Sequence, residues 1–128
     1  MNFRLVFSFL IILSLIGCFD VFQREDWRSG DHFVMTNPGS PSSKTLYRDV
    51  GNGNGIGRLN DVEQIGANGQ FIVAKGSGNQ YYILEMTKDD PYMDARDVML
   101  GPMDSLVFVE RLRSLGIADL TFSQSFIR

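Results

Sequence analysis

Residues 70–86 constrain this chain most. Phe71-Ile72-Val73-Ala74-Lys75 and Gln80 to Met86 (QYYILEM) are dense in β-branched and aromatic side chains, with Gly76-Ser77-Gly78-Asn79 between them. Such side chains suit a pleated, half-buried surface, and a short Gly/Asn link reverses the chain. The pattern predicts an antiparallel hairpin. Upstream, Asp61 to Ile65 offers Val62 and Ile65 as inward positions, and Gly66-Ala67-Asn68-Gly69 adds an Asn-Gly turn signal of the type I′ kind. Together these segments read as a three-stranded meander.

The flanking sequence extends this reading. Asp31 to Thr36 and Lys44 to Val50 are strand candidates, with Leu46 and Tyr47 packing, and Asn37 to Ser43 (NPGSPSS) between them is turn chemistry. Gly51 to Gly57 (GNGNGIG) reads as a flexible loop. It lacks the strand–glycine–helix context of a dinucleotide site and the Gly-Lys-Ser/Thr ending of a P-loop. Calcium-loop carboxylates are missing too. Further on, Val98-Met99-Leu100 is a short apolar strand stopped by Gly101-Pro102. Asp104 is then an N-cap for a helix from Ser105 to Leu115. Phe108, Val109, Leu112 and Leu115 form its apolar stripe, and Gly116 closes it. Ile117 to Phe122 reads as a last strand. The expected fold class is α+β: an antiparallel β-sheet of about five or six strands, with one C-terminal amphipathic helix packed on one face, preceded by a signal-peptide helix.

That leading helix comes from the N-terminus. Arg4 and the amino terminus are positive, and Leu5 to Ile16 is apolar apart from Ser8 and Ser14. The run matches the apolar region of a secretory signal and falls short of the roughly 17–25 residues that span a bilayer. It ends in Leu15-Ile16-Gly17-Cys18, and Cys18 is the only cysteine. This ending resembles the lipobox of bacterial lipoproteins. The resemblance implies a diacylglyceryl thioether on Cys18, cleavage after Gly17 and acylation of the new α-amine, with Leu15 and Ile16 in the apolar positions of the motif. It also implies export and a lipid anchor in the cell envelope. Phe19, where an Asp would hold a Gram-negative lipoprotein at the inner membrane, favours the outer membrane. A lone thiol in an oxidising compartment is a liability that a thioether removes. The expected organisation is residues 1–17 as signal peptide, 18–30 as lipidated Cys and tether, and 31–128 as a single α+β domain.

A second resemblance covers residues 70–117. The Phe71–Lys75 strand, the Tyr81-Tyr82-Ile83-Leu84 strand, Gly101-Pro102-Met103 and a helix closing on Leu115-Gly116-Ile117 resemble a group of small bacterial lipoproteins of uncharacterised function. It implies no catalytic residue, and an acidic insert separates the strand from Gly-Pro here.

Composition narrows the function classes. A net charge of −3 argues against general nucleic-acid binding. One Cys and one His cannot build a Cys/His zinc cage within one chain. His32 lacks a Gly-x-Ser-x-Gly elbow to serve and reads as a surface or partly buried packing residue. No cofactor is expected. Asp89, Asp90, Asp94 and Asp97 lie in the polar stretch Thr87 to Asp97. They form a candidate weak cation site, against the alternative of a solvated loop. Tyr81, Tyr82 and Tyr92 are candidate anchors of a binding face, since tyrosine is enriched at interface hot spots. The expected function is a membrane-anchored, protein-binding envelope component. The alternatives are an immunity or inhibitor lipoprotein directed against a toxin or cell-wall enzyme, and a small hydrolase.

Overall fold

The hairpin expected of residues 70–86 is the centre of the molecule. In a computed structural model, which describes residues 25–126, the chain forms two antiparallel sheets and a C-terminal helix. The first sheet is a meander of β1 (Trp27–Ser29), β2 (His32–Asn37), β3 (Ser40–Gly51) and β4 (Asn54–Leu59) in sequential order. β5 (Val62–Ala67), β6 (Phe71–Gly76) and β7 (Gln80–Glu85) build most of the second. A 3-10 turn at Met86–Lys88 and the short helix α1 (Ala95–Val98) lead to β8 (Met99–Met103). The helix α2 (Ser105–Ser114) follows, and β9 (Gln124–Ser125) completes the second sheet in the order β8-β7-β6-β5-β9.

The α+β expectation holds, but the strands divide between two sheets instead of forming one. Alternation along β6 and β7 explains the layering. Ile72, Ala74 and Leu84 face the first sheet and pack with Val34, Leu46, Val62 and Ile65. Phe71, Val73 and Ile83 face the other way and pack with Phe108 and Leu112 of α2 and with Ile117. One sheet is thus covered on both sides, which accounts for its near-continuous apolar strands.

Five local expectations change. The Gly51–Gly57 loop is shorter, because β4 starts at Asn54. Gly55 belongs there for a steric reason: a methyl group at this position would come within 2.8 Å of the Phe33 ring. The strand expected at Ile117 to Phe122 does not form. Ile117, Leu120 and Phe122 insert into the core beneath α2, and the backbone then meets β5 through Ser123 N–H to Ile65 O at 2.9 Å and Phe126 N–H to Glu63 O at 2.8 Å. Pro102 does not stop the strand at residue 100 but lies within the edge strand β8, where a missing N–H is tolerated. β1 falls inside the segment read as tether, with Trp27 paired to Val34. The Asp104 cap is present, its side chain accepting from Val107 N–H at 2.9 Å. Val109, expected in the buried stripe, is 48% exposed instead.

Candidate functional site

The first sheet carries a buried polar cluster at its inner face. His32 opens β2 and pairs in register with Ser29 and Arg48. Arg58 lies near the end of β4, and Asp89 follows the 3-10 turn, its N–H bonded to Met86 O at 3.3 Å. Their side chains converge with 0%, 1% and 0% exposure. Arg58 donates to Asp89 Oδ1 from Nη2 at 2.8 Å and from Nε at 3.1 Å. His32 Nε2 lies 2.6 Å from Asp89 Oδ2. An ionised carboxylate only accepts, so Nε2 carries the proton and donates it.

Electrostatics assign the charges. Burial pushes the Asp89 carboxyl up, but the hydrogen bonds from Arg58 and His32 together with the Arg58 charge outweigh it, and the carboxyl is held below its usual range. Burial pushes the His32 imidazole down, against the opposing pull of Asp89, and the Arg48 charge adds to the depression. The resting state is an Arg58–Asp89 ion pair with a neutral His32. Its Nδ1 is left without a hydrogen-bond partner among the described residues. Closed to solvent, this cluster acts within the fold: it fastens the segment after β7 to the first sheet. His32 is therefore not the surface or partly buried residue expected from its place at a strand start.

The fastened segment is the acidic one. Arg58 Nη2 also donates to the Asp90 carbonyl at 2.9 Å, the same oxygen that accepts Met93 N–H at 3.1 Å. Asp90 Oδ1 accepts Tyr92 N–H at 2.8 Å, and Met93 packs on the core between the sheets. The loop is thus held from inside at Asp89, Asp90 and Met93, and it projects Tyr92 with 96% exposure. Asp94 occupies the N-cap position of α1, and Asp90, Asp94 and Asp97 are exposed. Asp89 is turned inward to Arg58 and away from the other three. Among the described residues no group of three or more His, Cys, Asp or Glu side chains is placed to hold a metal ion.

The three tyrosines fall in different environments. Tyr81 faces α2, half-buried, its ring 4.8 Å from that of Phe108 and 6.3 Å from that of Phe122. Tyr82 faces the inter-sheet core, and its hydroxyl donates to Gln80 Oε1 at 3.1 Å. Only Tyr92 of the three stands clear of the body. Leu15, Ile16, Gly17 and Cys18 lie outside the described residues. Sequence reasoning missed Arg58, which directly follows the glycine-rich stretch read as loop. The available signal was a single charge alternating with Ile56 in an otherwise uncharged run.

Comparison with known protein families, with curated proteins and with solved structures finds no match for this chain. Among the described residues, no helix is long and apolar enough to cross a membrane.

Proposed function

We propose that the chain is a lipid-anchored bacterial envelope protein that binds a protein partner through the pinned acidic loop around Tyr92. In this reading Leu15-Ile16-Gly17-Cys18 is the processing and lipidation motif, residues 1–17 form a signal-peptide helix, and Phe19 directs the anchored protein to the outer membrane. The observation that carries the binding role is the 96% exposure of Tyr92 on a loop fixed from beneath. An exposed aromatic on a backbone that is already held loses only side-chain freedom on docking, which suits an interface anchor. Tyr81 and Tyr82 support the body that presents it.

The exposed carboxylates of Asp90, Asp94 and Asp97 favour a partner with a basic surface, by charge complementarity. A toxin or cell-wall enzyme blocked by an immunity or inhibitor lipoprotein fits that chemistry as one case of the same reading. The solvent-excluded position of the only histidine supports binding over hydrolysis.

Affinity capture from detergent-solubilised envelopes tests the proposal. The full chain should retain one stoichiometric partner. Tyr92→Ala should weaken capture by about 30-fold, corresponding to a hot spot of about 2 kcal/mol, at unchanged thermal stability. Undiminished capture by Tyr92→Ala would refute the assigned face.

A further inference from the structure

The outer face of α2 carries apolar side chains that the body of the protein leaves uncovered. Phe108 and Leu112 turn inward, while Leu106 is 78% and Val109 48% exposed. Leu106, Val109 and Arg113 follow an i, i+3, i+7 spacing and so form one strip on a helix. Glu110 flanks the strip, and Glu110 and Arg113 are exposed. Neither has an ion-pair partner among the described residues.

We propose that this strip is a homodimer contact, with the two α2 helices crossing antiparallel about a two-fold axis near Val109 and Glu110. A two-fold contact needs a surface complementary to itself. The α2 strip has that property, because it carries an apolar centre and one charge of each sign. The crossing lays Leu106 of each copy on the aliphatic stem of Arg113 of the second copy, Val109 near its own equivalent, and each Arg113 guanidinium toward Glu110 of the second copy. An anionic lipid surface is a poorer match, because Glu110 borders the strip. A ten-residue helix is about 15 Å long, so the contact is small and the dimer weak. Confinement to a surface raises its effective concentration. This contact is separate from the Tyr92 loop, and either assignment stands without the other.

Disulfide trapping in intact cells producing the full chain tests it. Val109→Cys should form a cross-linked dimer under a mild oxidant, well above the unsubstituted chain (which reports on Cys18) and above Asp119→Cys, an exposed site outside the strip. In the Val109→Cys background, Glu110→Arg should remove most of the dimer, and Glu110→Arg with Arg113→Glu should restore it. The proposal fails if Val109→Cys traps no more dimer than Asp119→Cys, if the charge swap does not restore trapping, or if the product's mass is not twice that of the monomer isolated from the same cells.

Discussion

Arg58 and Asp89, 31 positions apart in sequence, are joined by guanidinium–carboxylate contacts of 2.8 and 3.1 Å with both side chains essentially closed to solvent. Through this pair the first sheet holds the segment that leaves the second. A charge left at this depth without its counter-charge is costly, and the Asp90 carbonyl bonded to the same guanidinium sets the position of the loop beyond.

Removing one partner should therefore cost far more than removing both. Arg58→Met leaves a buried, uncompensated carboxylate and should lose about 3–5 kcal/mol. Arg58→Met with Asp89→Leu should recover much of that loss. Urea denaturation of the two variants beside the wild type measures the difference. A double variant no more stable than Arg58→Met would contradict the pairing.

Acid should weaken the fold in two steps. The His32 imidazole titrates below its usual value in the folded protein, so below about pH 6.5 the unfolded chain takes up a proton that the folded chain refuses. Stability present above that pH is lost as pH falls toward the folded-state value. Asp89, also depressed, adds a second loss below the ordinary aspartate range, as pH falls through its folded-state value. The chain has one histidine, so the loss that sets in below about pH 6.5 and above the ordinary aspartate range should vanish in His32→Asn. Melting temperature against pH decides; an unchanged slope in the variant would remove His32 as the cause.

The two faces of α2 should respond oppositely to the same substitution. Leu112 is 6% exposed, so Leu112→Asp buries an unpaired charge in the core beneath the helix and should unfold the domain. Val109→Asp, on the open face, should change monomer stability by no more than about 0.5 kcal/mol. Circular dichroism melts of both variants test this, and comparable damage from the two would overturn the orientation of α2.

Gly66 should tolerate no side chain. A methyl group there would overlap the carbonyl oxygen of Thr121 and crowd the Phe122 backbone. Gly66→Ala must displace the segment after α2 and should lose about 1–3 kcal/mol. A melting temperature equal to the wild type would mean that this segment does not lie against β5.

How much of this was legible depended on which forces are local. α2 was readable because its signals are: Asp104 as cap, Phe108 and Leu112 at helical spacing, Gly116 after the end. β6 and β7 were readable from their β-branched and aromatic density. The division into two sheets was hidden, since alternating faces in one strand do not say what covers each. β4 was hidden because its glycines oppose strand formation in isolation and are selected by a neighbour, the Phe33 ring over Gly55. The buried cluster was illegible for the same reason. Asp89 looks like its solvated neighbours until Arg58 and His32, distant in sequence, are brought to it. In the tyrosine set, only tertiary structure distinguishes the half-buried Tyr81 and Tyr82 from the exposed Tyr92.

The most direct test of the account is whether Cys18 carries lipid. Cells producing the full chain are supplied with radiolabelled palmitate, and the purified protein is compared with Cys18→Ser. The account predicts label in the wild type alone, with the variant lost from the membrane fraction. An unlabelled wild type, with both proteins fractionating alike, would contradict it.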